Sequence, residues 1–435
     1  MSKRPNILLI FTDEQSADAM SCAGNVEIST PAMDRLAADS IRFERAYCAA
    51  PSCAPARNSL HTGRMPHQVE FNDDNRIANP EETLGRILSK AGYDCYYAGN
   101  RAFAVTEDPD ICGYQPLSPK GDDITAQRSA EFLQARGRSQ SENPFFLVSS
   151  FINPHNIYQW ARDQDTYLGD VEERPIHDCP ILPPNHHMAP FTPQCVKAYL
   201  GGHSPAYAAP QPIDDPNWWR RYRNAYFRMI EMVDAQIGIV LDALRDSGQY
   251  DDTLVLFISD HGDCAGAHQW LWKNVLYEEA LKVPFVLKPP SGNEAGLSNL
   301  FVSTGLDILP TFCDYAETDP PAGLQGRSLR PLVEGSKEAE DSWRRQLVVV
   351  TDRHDYGMVG RAAFEDNMKY VIYEWGRYRE QLFDLQTDPG EMVDLASSSR
   401  FTPDLVRIRS FLREWCAETG DYFKHVPKGN NPALY

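Results

Sequence analysis

The sequence predicts an α/β fold in which a large, mixed but mostly parallel sheet is flanked by helices and followed by a smaller C-terminal α+β domain. Three observations carry this. Apolar runs of strand length alternate with stretches of helical periodicity, the order that builds parallel sheets. The three clearest runs, Asn6–Phe11, Phe145–Phe151 and Thr253–Ser259, each lead into ionisable residues: Asp13/Glu14, His155 and Asp260/His261. From about Pro321 the texture changes to short runs and one terminal helix.

Taken in order, Asn6–Phe11 is apolar throughout, as expected of a strand buried on both faces. Thr30-Pro31 supplies an N-cap and a first-turn proline for a helix through Met33, Leu36 and Ala37. Glu82–Ala91 is helical in pattern and stops at Gly92. Phe145–Phe151 is the second buried strand, and the stretch from about Tyr158 to Pro216, rich in Pro, His and Asn, reads as a long insertion. Tyr222, Met229, Ile230, Val233, Ile237, Val240, Leu241 and Leu244 recur at three and four residues, a long amphipathic helix closed by Gly248. Thr253–Ser259 is the third buried strand. Beyond the loop GLQGRSLRPL and the acidic stretch Glu334–Asp341 come short strands at Leu347–Val350, Lys369–Tyr373 and Gln381–Leu385, then a helix from about Asp404 to Trp415. The expected division is 1–330 and 331–435.

In open α/β sheets, loops after the carboxyl ends of strands gather at one crevice. Three ionisable strand ends therefore predict a shared polar site. The chain has 435 residues, 42% hydrophobic and 24% charged, with a net charge of −19. Such an acidic surface disfavours nucleic acid and anionic membrane as partners. The Ile7–Phe11 run is too short for a signal-peptide core, and no stretch approaches a membrane span, so the reading is cytoplasmic. Ten cysteines carry no CxxC spacing; Cys95, Cys313 and Cys416 read as small buried hydrophobes.

The segment CAPARNSLHTGR, Cys53–Arg64, holds the most chemistry. Pro55 restricts the backbone just after the cysteine and a helix can start there, so Cys53 would face unpaired amide donors. Arg57 adds a planar cation. From composition alone this is an anion site beside a cysteine or a plain packed cysteine. Asp13 likewise reads as a site acid or a turn cap, and Asp260-His261-Gly262 as a polar site or a tight loop.

CAPARNSLHTGR resembles the signature of formylglycine-dependent sulfatases of the alkaline phosphatase superfamily, a Cys-x-Pro-x-Arg core followed by Thr-Gly. RPNILLIFTDEQ, TPAMDRLAADSIRFERAYC, PFFLVSSFINPH, ISDHGDCAGAH, LYEEALKVPF and LFDLQTDPGEMVDL are similar to successive blocks of that family. The resemblance implies an alkaline-phosphatase-like fold and conversion of Cys53 to Cα-formylglycine by a separate maturation enzyme. It implies that the hydrated aldehyde attacks sulfur and expels the alcohol, covalent catalysis that splits one hard step into two. Carried over, Arg57 holds the hydrate, and Asp13, Glu14, Asp260 and His261 bind one divalent metal. Hard oxygen ligands favour Ca²⁺, with Mn²⁺ or Mg²⁺ as alternatives. Lys273 grips the sulfate, His155 protonates the leaving oxygen and His268 contacts the substrate. The implied substrate is a small sulfate ester, of a carbohydrate or other alcohol.

The departures are specific. Ala56 replaces the usual serine, Glu14 the second N-terminal aspartate, and His261 stands where many members have asparagine. The Gly-Lys-x-His block that gives two cationic contacts is here Gly99-Asn100-Arg101-Ala102, with Arg101 as a substitute charge. Phosphonate monoester hydrolases and related phosphodiesterases share the His261 variant and depart at the same block, so they form the first alternative; an inactive binding protein of the same fold is the second. Arg353 and His354 are further candidate substrate contacts, with surface charge as the competing reading.

Overall fold

The structure is a computed structural model that describes residues 4–71, 77–101, 112–139, 142–166, 169–200, 214–292, 295–354 and 357–427. Its larger sheet contains β1 (Asn6–Asp13), β2 (Ile41–Tyr47), β3 (Asp94–Gly99), β4 (Gln115–Ser118), β5 (Phe145–Pro154), β6 (Thr253–Ser259), β7 (Phe285–Lys288) and β8 (Gly296–Ser303). The order across it is β4-β3-β5-β1-β6-β7-β2-β8. β7 runs antiparallel to both of its neighbours, and the other pairings are parallel. The sheet is thus mixed and mostly parallel, as the alternation of strands and helices predicts.

The apolar run of β1 is explained by its central place. Leu8 and Ile10 pack on one face with Tyr226, Ile230, Val233 and Ile237 of the long helix Pro216–Asp246. Ile7, Leu9 and Phe11 pack on the other with Leu84 and Leu88 of the helix Leu84–Lys90 and Phe312 of the helix Ile308–Tyr315. The helix expected over Glu82–Ala91 is shorter at its start, because Pro80–Glu82 forms a separate 3-10 turn. The long helix begins six residues before Tyr222, at Pro216, where Asp215 caps it by accepting from the Asn217 amide. Strands β2, β3, β4, β7 and β8 carry no run long or apolar enough to stand out in the sequence.

The smaller sheet is an antiparallel meander of β9 (Gln346–Arg353), β10 (Met358–Glu365), β11 (Met368–Tyr373) and β12 (Glu380–Asp384). Val348, Val350, Tyr370 and Ile372 meet Leu405, Ile408 and Leu412 of the helix Thr402–Thr419. The opposite face, with Val349, Met358, Val371 and Tyr373, packs against Tyr47, Leu276 and Val283 of the larger body. Cys95, Cys313 and Cys416 are buried free thiols. Among the described residues no helix is long and apolar enough to cross a membrane.

Candidate active site

Register builds the site. β1 lies between β5 and β6, with Thr12 level with Ser259 and Asp13 level with Pro154. Asp13, His155 and Asp260 therefore leave three adjacent parallel strands at the same edge. After Asp13 the chain turns sharply through Glu14, which takes the left-handed φ of 76°. After Asp260 a glycine is obligatory, since a Cβ on Gly262 would stand 1.9 Å from the Glu279 carbonyl.

The helix Cys53–Thr62 faces this edge with Cys53 at its first position, and Arg57, one turn on, shares its face. The fully buried Arg57 guanidinium donates through Nε to Asp260 Oδ2 and through Nη2 to Asp13 Oδ2, both at 2.8 Å, and it lies 4.4 Å above the Phe11 ring. Ser150 Oγ and the Asn100 carbonyl accept from Nη1 at 3.2 and 3.3 Å. Lys273 Nζ donates to Glu14 Oε2 at 2.7 Å and to Cys53 Sγ at 3.2 Å. Cys53 Sγ also lies 3.6 Å from Asp13 Oδ1 and 3.3 Å from His261 Nε2. The Gly262 carbonyl, which only accepts, sits 3.0 Å from His261 Nδ1 and so fixes the proton there. Nε2 keeps its lone pair toward the cysteine, the tautomer a metal ligand needs.

The electrostatics follow from burial and pairing. Burial acts to raise the Asp13 pKa, but His155, Arg57, Lys273 and His261 together hold it below the usual carboxylate range. For Glu14 burial outweighs Lys273 and His155, and its pKa rises to about 7. Burial lowers His261 to about 4 and, with Lys273, lowers His155. Burial and Asp13 push the Cys53 thiol up. Lys273 stays protonated because Cys53, Glu14 and Asp13 overcome its burial.

The residues present fit a divalent cation. One ligand atom each from Asp13, Cys53, Asp260 and His261 lies within 4.8 Å of the others, and Asp13, Glu14 and His155 form a second such group. Glu14 Oε1 is buried and has no hydrogen-bond partner among the described residues. Two or three carboxylates with one imidazole make a donor set that suits Ca²⁺, Mn²⁺ or Mg²⁺.

Of the residues expected from sequence, Asp13, Glu14, Cys53, Arg57, His155, Asp260, His261 and Lys273 are brought together. His155 is partly open, with 31% of its side chain exposed, and lies 3.8 Å from Glu14 Oε2. Arg353, at the end of β9, reaches the same turn, with Nη1 3.4 Å from Ser52 Oγ. His354 instead pairs with Tyr422, Nε2 to hydroxyl at 3.0 Å. Arg101 points to the end of β4, where it donates to the Ser118 carbonyl at 2.7 Å. His268 lies in a different cluster from Cys53. Its backbone takes a φ of 55°, its ring stacks on Tyr277 at 3.7 Å, and it groups with Glu279 and Glu391. Burial and Lys369 drop its pKa to about 3, so it is neutral and holds the loop before Lys273 through Asn185. The reason is local: left-handed residues through Ala265–Asn274 break the helical or extended spacing that would aim His268 and Lys273 alike.

Sequence reasoning missed Asn100 and Ser150. Asn100 Nδ2 donates to Asp13 Oδ2 at 3.0 Å. It is carried there because Gly99, at φ 94°, lets the chain pass Ser150, whose carbonyl would lie 2.0 Å from a Cβ. The signal was the unmatched Gly99-Asn100-Arg101 block itself, in which the uncharged residue rather than the arginine turns to the centre.

Comparison with known proteins defines the class. A family model described as Sulfatase matches residues 5–318, and one described as N-sulphoglucosamine sulphohydrolase, C-terminal, matches 266–415. A Δ4,5-hexuronate-2-O-sulfatase of Bacteroides thetaiotaomicron is 27% identical, over 99% of this chain and 92% of its own. Among solved structures, a 2-O GAG sulfatase superposes with a TM-score of 0.83 at 23% identity, covering 99% and 95% of the two chains. A phosphonate monoester hydrolase of Agrobacterium radiobacter gives 0.73 at 20%, covering 97% of each. The chain belongs to the sulfatase family and is by that membership a sulfuric ester hydrolase.

Proposed function

We propose that the protein hydrolyses a sulfate ester of a carbohydrate, using residue 53 in its formylglycine form and one divalent cation, Ca²⁺ by preference. The observation that carries the reading is the convergence of Asp13, Cys53, Asp260 and His261 within 4.8 Å, with Lys273 at 3.2 Å from Sγ. Sγ marks the position from which the oxygens of the hydrated aldehyde would act. Asp13, Asp260, His261 and, at its flank, Glu14 would hold the cation, which supplies charge that polarises a sulfate oxygen and acidifies the neighbouring hydroxyl. Arg57 fixes the two aspartates in place through its planar fork. Lys273 stands at the nucleophile to bind a sulfate oxygen. His155, partly open to solvent, donates the proton that the leaving alcohol oxygen requires. The carbohydrate part rests on similarity to the hexuronate sulfatase, and Arg353, beside Ser52, is the chain's own candidate for a sugar contact. In this reading residues 1–330 form the catalytic body and 331–435 a subdomain that completes the pocket's rim. We place the enzyme in the cytoplasm, where a maturation enzyme would act on Cys53.

A second reading, a phosphonate monoester or phosphodiester hydrolase with the same nucleophile, draws on His261 Nε2 at the cysteine and on the Agrobacterium likeness. Tetrahedral anions of similar size use nearly the same contacts. Side-by-side kcat/KM values of matured protein on sulfated sugars, an aryl sulfate, a phosphonate monoester and a phosphodiester decide between them. The sulfate reading expects the sulfated sugar to lead, and a leading phosphonate or diester overturns it. Mass spectrometry of the Cys53 peptide in the same sample should show a loss of roughly 18 Da on conversion of thiol to aldehyde. Full activity with an unconverted thiol overturns the formylglycine step.

A further inference from the structure

Most aromatic side chains among the described residues are buried, yet four exposed ones share one end of the smaller sheet. Trp375 is 40% exposed, Tyr378 45%, Phe191 50% and Tyr422 48%. Each is held in place. Trp375 Nε1 donates to the Gly357 carbonyl at 2.7 Å. Tyr378 takes a left-handed φ of 54° in the turn between β11 and β12, and its ring lies 5.3 Å from Phe191. Gln194 clamps that turn from the insertion, its amide donating to the Arg377 carbonyl at 2.9 Å and its Oε1 accepting from the Arg377 amide at 3.0 Å. Tyr422 stands on the other face of the sheet end, over Arg361, and is tied to His354 at 3.0 Å. Rings fixed before a ligand arrives lose little entropy on binding it.

Register places this group beside the catalytic pocket. Arg353 pairs with Met358 across β9 and β10, and the Glu374 amide bonds the Val359 carbonyl across β10 and β11. Trp375 is therefore two strand spacings, ~10 Å, from the Arg353 backbone. Arg353 in turn contacts Ser52, the neighbour of Cys53. Trp375 thus stands two strands from the arginine that touches the neighbour of Cys53. Arg377 and Lys424 are exposed there and His425 pairs with the carboxylate of Glu374 at 3.3 Å, on a chain whose net charge is −19. An acidic ligand is locally tolerated where most of the surface repels it.

We propose that Trp375, Tyr378 and Phe191 form a sugar-binding platform that takes the rings of a sulfated oligosaccharide adjoining the one at the catalytic site. Tilted rings beside exposed polar groups match pyranoses, whose C–H faces are apolar and whose edges are hydroxylated. A flat protein contact would instead need a continuous apolar patch. The inference rests on the carbohydrate-sulfatase reading and deepens it: the substrate is an oligosaccharide, bound along the small sheet.

The test is a size ladder of sulfated glycosaminoglycan oligosaccharides, di- to hexasaccharide, with an aryl sulfate as reference, on matured wild type, W375A and Y378A. In wild type kcat/KM rises from disaccharide to tetrasaccharide. In each variant the ratio of tetrasaccharide to aryl sulfate kcat/KM falls about tenfold, the size of one good aromatic contact, mainly through KM. A flat ladder in wild type, or equal loss on both substrates, overturns the platform. If no sulfate ester is turned over, the catalytic reading has failed on its own. Calorimetric titration of the tetrasaccharide then judges the platform: binding to wild type that W375A weakens supports it, and absent or unchanged binding overturns it.

Discussion

Replacing Arg57 by alanine removes the cation that bridges Asp13 and Asp260. The guanidinium is fully buried and bonds both carboxylates at 2.8 Å, with Ser150 and Asn100 as further acceptors. Breaking a buried ion pair by deleting one partner costs ~3–5 kcal/mol, because the other charge is left uncompensated. Here two carboxylates lose one shared partner, so the top of that range, ~5 kcal/mol, is expected in metal-free protein, against a total stability of ~5–15 kcal/mol. A bound divalent cation supplies positive charge to the same carboxylates, so the loss in saturating Ca²⁺ should be less than half as large. Urea unfolding read by intrinsic fluorescence, in chelator and in Ca²⁺, measures both. With a slope of ~3 kcal/mol/M the metal-free midpoint falls by about 1.7 M. Arg57→Lys, a single point charge without the fork, should recover only part of it. A metal-free loss under ~1 kcal/mol, the size of an exposed pair, refutes the reasoning, as does an equal loss with and without the cation.

Asn100→Ala should weaken Ca²⁺ binding about 10–100-fold by freeing the Asp13 carboxylate it orients, which calorimetric titration reads directly; unchanged affinity counts against that role. Chelation should abolish turnover and Ca²⁺ should restore more of it than Mn²⁺ or Mg²⁺, with the order of recovered rates as the check. His155 has a pKa below its usual 6.5 through burial and Lys273, and its protonated form is the proton donor. The contribution of His155 is therefore present at pH values below its lowered pKa and lost as pH rises through it. The alkaline limb of kcat/KM should start below pH 6.5 and be missing in His155→Ala; a limb above 7.5 in wild type contradicts the assignment. His268→Gln should keep kcat within about tenfold of wild type, while Lys273→Ala should lose about 10²-fold or more, as for a group stabilising transition-state charge; equal losses put His268 at the reacting centre.

The sequence by itself determined the framework and which strand ends meet at one edge. β1, β5 and β6 were legible because strands buried on both faces must be apolar throughout, and their ionisable ends announced a common edge. Cys53 and Arg57 were singled out by the resemblance of CAPARNSLHTGR to the sulfatase signature, since composition alone left a plain packed cysteine open; the helix start then sets the two on one face. The strands away from that centre were not: β2 carries charges at Arg42, Glu44 and Arg45, and β4 and β7 are four residues long, so their place depends on partners far along the chain. Only the tertiary structure decided that Asn100 rather than Arg101 turns to Asp13, that Arg353 comes to Ser52 from 301 residues away, and that His268 leaves the centre that Lys273 enters. Where a side chain points after a left-handed turn or across a domain contact is set by what packs around it, and local sequence carries no record of those neighbours.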